Sequence, residues 1–490
     1  MNKILNQTLK IIKSEYFLFT LVIIFAFLVR LYKISSPLLD WHSWRQADTA
    51  SVSKVFIQQG INLFNPRYHD ISSIQSGIFN PQGYRMVEFP IFNAFHAIFF
   101  KAIPSIGFEA EGRLVSIFCS LITAFFLYLI GNKFIGKFGG ILSAFFFLFI
   151  PYNIYFTRVI LPEPMAVTFL ISSLWFFVRF IESDRYYRLI ISAIFFALGM
   201  LIKPYTLFYS LPMIYLLLNK FKLKDIFKES KLFIKLLIFV DIVLIPFFLW
   251  RTLINKHPEG IPFFTWAFNG DNIRFRPAYW RWIYGERIGY LILGIWGLVP
   301  FTYGLLKTSK KNLFNFYFLI GLLLYTLVVA TASVRHDYYQ IFLIPAIVLM
   351  LAQGVKHLWE DKHFNSYISK FLVIFSVIMM LGMGTYQVKE FYKINHPELI
   401  EAGKAVDRLA PKNALVVAPY NGDTAFLYQT GRWGWPELDD SIDNIIKKGA
   451  SFYVSVNIGD KNTQAIMKRF KVVEKTDKYV VVNLHEPLNK

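Results

Sequence analysis

With 490 residues, 55% of them hydrophobic and 18% aromatic, the chain carries more apolar side chain than a soluble domain needs. Lys and Arg number 52 against 32 acids, a formal net charge of +20. The basic residues fall in alternate short loops, a pattern of membrane topology and anionic lipid contact that argues against nucleic acid as the partner.

Taken in chain order, apolar segments long enough to approach a bilayer crossing recur at 17–31, 115–130, 141–156, 165–180, 189–202, 207–218, 232–250, 290–306, 314–330, 341–355 and 371–386. This predicts roughly eleven spans by the ~20-residue rule. Lys3, Lys10 and Lys13 precede the first segment and assign the N-terminus to the cytoplasm. No small-residue cleavage site follows that segment, so it reads as a retained signal anchor. Basic loops at Lys133/Lys137, Arg185/Arg188, Lys220–Lys231, Lys307–Lys311 and Lys356/Lys362 share the cytoplasmic side. An odd number of spans then leaves the C-terminus outside, together with the loops at 32–88, 158–164, 250–289 and 335–339. Within the first outer loop, 53–59 reads as a short amphipathic helix ended by Gly60, and 89–102 as a helix lying in the interface. The fold class expected is an all-α polytopic membrane domain over 1–388, followed by a small extracytoplasmic α/β domain over 389–490. In the latter, 399–409 and 464–469 read as helices, 414–418 and 452–456 as strands, and 471–473 with 479–482 as a pair. The single Cys119 falls inside a span and can form no intrachain disulfide.

The residues able to carry chemistry concentrate in the outer loops. The first contains Leu39-Asp40-Trp41-His42-Ser43-Trp44-Arg45-Gln46-Ala47-Asp48-Thr49 and closes on Glu88-Phe89-Pro90. The second contains Arg158 and Pro162-Glu163-Pro164, where two prolines are expected to hold Glu163 out of regular helix. Asp40, Asp48 and Glu163 are the candidate catalytic carboxylates: one of them would act as general base toward an acceptor. Asp40 and Glu163 are expected to converge on one cavity and are the pair that would hold a divalent cation, although none is required. The bland alternatives are a carboxylate that caps a helix end or pairs with Arg45 or Arg158 and, for Asp48, one that simply starts the helix that follows. Arg45, Arg158, Lys203 and Arg335 suit a phosphate at headgroup level, against the alternative of snorkelling. His42, Glu88, His336, Tyr338 and Tyr339 complete the candidate substrate contacts. Trp266, Phe268, Trp280, Trp282 and Tyr284, interleaved with arginines, fit either sugar rings or an interfacial aromatic belt.

At these residues the chain resembles the GT-C membrane glycosyltransferases, in particular the bacterial relatives of protein O-mannosyltransferases and of the lipid A aminoarabinose transferase. Glu163-Pro164 matches the family's second-loop Asp-Pro, Glu88-Phe89-Pro90 its Glu-Lys-Pro, and Arg335-His336-Asp337-Tyr338-Tyr339 its late outer turn. Asp40 is the candidate for the first-loop Asp, with Asp48 as the alternative. The resemblance implies a bacterial plasma-membrane enzyme with a polyprenyl-phosphate sugar as donor. It further implies a lipid, glycan or protein acceptor, inversion at the anomeric carbon, and no nucleotide. The rivals are a lipid-linked glycan flippase, which predicts mid-span charges and repeats, and a polysaccharide polymerase or ligase with a diphosphate-linked donor. Asp241 is the one acid well inside an expected span, and no repeat is visible.

Overall fold

The computed structural model describes residues 15–309 and 313–488. Lys3, Lys10, Lys13, Lys310 and Lys311 therefore lie outside the described residues. The chain forms two compact units: Met1–Ile34, Leu114–Leu249 and Phe264–Lys389 in the first; Ser35–Arg113, Trp250–Phe263 and Glu390–Lys490 in the second.

The first unit is helical. Among the described residues, four helices are long and apolar enough to cross a membrane: Phe108–Ile135 (whose first turns belong to the second unit), Glu163–Ser183, Ser230–Ile254 and Ser366–Tyr392. Phe17–Arg30, Lys137–Phe149, Tyr186–Ile202 and Phe314–Val328 are shorter apolar helices. Several expected spans are broken. Pro151 opens a new helix, Pro151–Phe156, directly after Lys137–Phe149, because its missing N–H costs nothing in a first turn. The segment 290–306 is split between Arg281–Ile292 and Leu298–Leu306, with Gly294 and Ile295 at positive φ between them. The expected outer loop at 250–289 is largely helical in short pieces, and the Ser230–Ile254 helix runs into it. Helix Leu298–Leu306 packs so closely on Ile344–Glu360 that a Cβ at Gly354 would collide with the Pro300 carbonyl oxygen.

Helices Glu163–Ser183 and Tyr186–Ile202 form an antiparallel hairpin, turned at Asp184 in the left-handed region. At that turn the basic loops gather. Lys133 pairs with Glu182, Lys235 with Asp184 (3.1 Å), and Lys356 donates to the Ile135 carbonyl (2.6 Å). Three of the loops that the charge pattern assigned to one side, those at Lys133/Lys137, Arg185/Arg188 and Lys356/Lys362, thus meet at one end of this unit. The opposite end of the hairpin, about 30 Å away at 1.5 Å per residue, carries Glu163 and Lys203.

The second unit is α/β. Its five-stranded sheet has the order β2-β1-β3-β5-β4, with β1 Leu415–Val417, β2 Gly434–Trp435, β3 Ala450–Ser455, β4 Phe470–Lys475 and β5 Val480–Pro487. β1, β2 and β3 run parallel, and β5 pairs antiparallel with both β3 and β4. The expected strands and the β4–β5 pair are present, as are the helices at Glu398–Leu409 and Lys461–Arg469. Two-residue β2 is too short to leave a periodic signal. Alternation puts Val417, Tyr453, Val480 and Val482 on one face, buried with Ile445 and Ile466. Val416, Val454 and Val481 on the other face are also fully buried. The first-loop segment extends this sheet: the Ile71 amide donates to the Gly434 carbonyl (2.9 Å) and the Gly434 amide to that of His69 (3.0 Å). Residues 35–113 and 390–490 therefore share one core.

Candidate active site

In the first unit the site starts at the open end of the hairpin. Glu163 is the first residue of its helix, with Pro162 before it and Pro164 in the first turn. This corrects the expectation that the prolines keep Glu163 out of helix. First-turn proline is pre-organised for helix, and Glu163 also suits the positive end of the helix dipole. Lys203 follows the last residue of Tyr186–Ile202 in extended conformation, with Pro204 ending the helix. Its Nζ lies 3.2 Å from Glu163 Oε1, and both side chains are nearly sealed from solvent (7% and 1% exposed). The Tyr205 ring is 6.0 Å from Tyr339 and 6.2 Å from Tyr325, and the Lys203 and Glu163 charges both act on it. Tyr338 and Tyr339 are buried, with ring centroids 4.7 Å apart.

Other candidates of this unit have different neighbours. Arg158 is buried, and its Nη2 donates to the Lys33 carbonyl (2.8 Å). Arg335 is half-exposed, 3.2 Å from Asp271, with its guanidinium over Trp266 at 5.7 Å. His336 meets the same indole edge-on at 5.7 Å. Sequence reasoning missed three buried groups here. Arg30 Nε donates to Thr157 Oγ1 (3.0 Å), Asp337 lies 3.7 Å from Arg287, and the Tyr152 hydroxyl donates to the Asp337 carbonyl (2.6 Å). The one available signal for Arg30 was a charge at the end of an apolar run.

In the second unit the acidic loop begins a helix much earlier than expected. Helix Ser43–Gln59 ends at Gly60, as predicted, but starts ten residues before the amphipathic stretch that announced it. Asp48 therefore lies inside the helix rather than at its start. Its Oδ2 pairs with Arg85 Nη2 (2.7 Å) and its Oδ1 accepts from the Thr424 hydroxyl (2.7 Å). The buried Arg45 pairs with Glu88, which is only partly buried. Asp40 precedes the helix: it accepts from Gln46 Nε2 (2.7 Å), and its other oxygen faces the buried Arg113 at 4.0 Å. His42, at the helix start, is held at φ 55°, a conformation unfavourable for a residue with a Cβ.

Asp40, Trp41 and His42 line a cavity of about 220 Å³ with residues from the C-terminal segment. Among these, Lys393 brings a positive charge, His396 and Asn395 hydrogen-bonding capacity, and Tyr420 an aromatic wall. Trp41 stacks on Phe391 at 5.0 Å with nearly parallel planes, which braces the rim. Asp423, also in the lining, has its carboxyl pushed up to about 6 by burial. Among the described residues no three His, Cys, Asp or Glu side chains group as a metal set. Asp40 and Glu163, the pair expected to hold a divalent cation, each face a side-chain cation and belong to different units.

This architecture is found elsewhere. The chain superimposes on ArnT from Cupriavidus metallidurans in the apo state with a TM-score of 0.63 at 12% identity, covering 94% of this chain and 97% of that one. Against ArnT bound to undecaprenyl phosphate the TM-score is 0.61 at the same identity and coverage. The Archaeoglobus fulgidus oligosaccharyltransferase, in a complex with zinc and sulfate, matches with a TM-score of 0.58 at 10% identity, over 92% of this chain and 71% of that one. The chain thus has the fold that these structures share. Within it, residues 89–250 match the family of dolichyl-phosphate-mannose-protein mannosyltransferases. Both Glu163 and Lys203 lie in that stretch. No curated protein sequence matches the chain.

Proposed function

We propose that the chain is a polytopic membrane glycosyltransferase that moves a sugar from a polyprenyl-phosphate donor to a lipid, glycan or protein acceptor, with inversion. The observation that carries this reading is the sealed Glu163–Lys203 pair, inside the family-matched stretch and at the hairpin end away from the basic loops. With the basic loops cytoplasmic, that end faces outward in a plasma membrane, the chain crosses about eleven times, and the C-terminus lies outside. ArnT's binding of undecaprenyl phosphate supports a donor of the same chemistry.

In this mechanism Lys203, with Arg158 and Arg335, serves the donor phosphate. Asp40 takes the proton from the acceptor as it attacks the anomeric carbon, and the polyprenyl phosphate leaves from the opposite face. Cations fixed before the reaction stabilise the charge that grows on the leaving phosphate. Gln46 and Arg113 keep Asp40 oriented for its role. Membranes carrying the chain, given a radiolabelled polyprenyl-phosphate sugar, are expected to label an acceptor. Asp40→Asn is expected to lower that turnover far more than donor binding. Movement of the donor across the membrane without any transfer would overturn the enzyme reading in favour of a flippase.

A further inference from the structure

The sheet of the second unit has a feature that the reaction above does not use. From β1 the chain crosses to β2 on one side; from β3 it continues to β4 on the other. β1 and β3 are parallel neighbours, so their outgoing connections diverge. The carboxyl ends of such strands leave a crevice, the usual ligand position in an open α/β sheet. A cavity of about 230 Å³ lies there, walled by the residues that directly follow β1, β2 and β3.

Its chemistry selects a ligand. The floor is a chain of hydroxyls: Tyr453 and Thr463 are joined at 2.8 Å, and Thr463 donates to Ser455 Oγ at 3.2 Å. Asn421, Asn457 and Asn462 stand at the exposed rim with amides that both donate and accept. The charged groups in the lining are Glu437 and Asp460, both acids. Helix Lys461–Arg469 begins at the wall and would offer its N-terminal amides to an anion. Asp460 already occupies them, accepting from the Asn462 amide (2.9 Å) and the Thr463 amide (3.2 Å). A phosphate would therefore meet carboxylates and filled donors. A ligand rich in hydroxyls and without negative charge would meet matching partners, with Tyr420 and Leu438 as its apolar contacts.

We propose that this cavity binds a neutral sugar ring, and that the acceptor is a glycan. Tyr420 is the link: it lines both this cavity and the one that contains Asp40. A ring seated on one side of Tyr420 continues, through its next residue, toward the candidate base on the other. Sugar binding here is independent of transfer; only its role as acceptor recognition rests on the glycosyltransferase reading.

The test uses the full chain in detergent and ligand-observed NMR. The probes are neutral disaccharides of glucose, galactose, mannose and N-acetylglucosamine, with the 1-phosphates of the same hexoses as anionic controls. At least one neutral disaccharide is expected to bind. Asn457→Ala, at an exposed position, is expected to weaken it roughly tenfold, the loss of one or two hydrogen bonds, with an unchanged melting temperature. Binding that persists in a chain with no transfer activity would uphold the sugar site and overturn its role as acceptor recognition. The proposal is overturned if no neutral disaccharide binds, if the hexose phosphates bind more tightly than the neutral sugars, or if Asn457→Ala has no effect.

Discussion

Lys203 can be tested in a way that separates holding the fold from holding the donor. Its Nζ is 3.2 Å from Glu163 Oε1, with both groups almost fully buried. At that distance and an effective dielectric of about 20, the gross attraction is about 5 kcal/mol, much of it offset by the cost of desolvating both charges. Lys203→Met takes the ammonium away from the buried Glu163 carboxylate, a loss of about 3–5 kcal/mol. The double change Lys203→Met with Glu163→Gln removes both charges, and is expected to recover most of the melting temperature in detergent. Transfer is a different matter. A charge-assisted contact to the donor phosphate contributes about 1.5–3 kcal/mol, so the recovered double variant is expected to remain about tenfold to a hundredfold slower. Glu163→Gln alone keeps the cation and is expected to retain donor binding. The assay is initial rate with a radiolabelled polyprenyl-phosphate sugar, beside thermal unfolding of the same preparations. A double variant that transfers at the wild-type rate would refute the phosphate role and leave the pair purely structural.

Other consequences are equally direct. Asp48→Asn leaves the Arg85 guanidinium buried without its carboxylate, so it is expected to destabilise by about 3–5 kcal/mol; an unchanged melting temperature would contradict the buried pair. Asp70 is buried and its carboxyl is pushed up to about 6, so the folded chain holds that proton more tightly than the unfolded one does. The resulting stability is full below about pH 4 and lost as pH rises through about 6. Asp70→Asn should therefore melt like the wild type at pH 4 and above it at pH 7; a variant less stable at pH 7 would show the reasoning wrong. A reporter active only in the cytoplasm, fused after Lys490, is expected to be silent, and a strong signal would reverse the assigned orientation.

Much of the helical architecture was legible because hydropathy is a local property. Ten or more consecutive apolar residues announce a buried or membrane helix whatever surrounds them. The basic loops announced their common end in the same way, since charge placement answers to the membrane rather than to a particular neighbour. The α/β character of 390–490 was readable from alternation at β3, β4 and β5. Helix Ser43–Gln59 shows where this stops. Arg45, Gln46, Asp48, Thr49, Ser51 and Ser53 are all buried in it, so it has no polar face to set against an apolar one, and periodicity could reveal only its last turns.

The sequence by itself thus placed most of the helices and singled out Asp40, Glu163 and Lys203 as candidates. Tertiary structure decided the partners. Arg45 finds Glu88 across 43 residues, Asp48 finds Arg85 across 37, and Thr424 reaches Asp48 from the far end of the chain. It also decided that the first loop and the C-terminal segment build one sheet and one core, and that the cavity beside Asp40 takes half its wall from residues beyond 389. The physical reason is the same in each case. Hydrophobicity and helix propensity act between near neighbours in the chain, whereas a buried charge is tolerated only beside its counter-charge, and which counter-charge that is depends on the path of the whole chain.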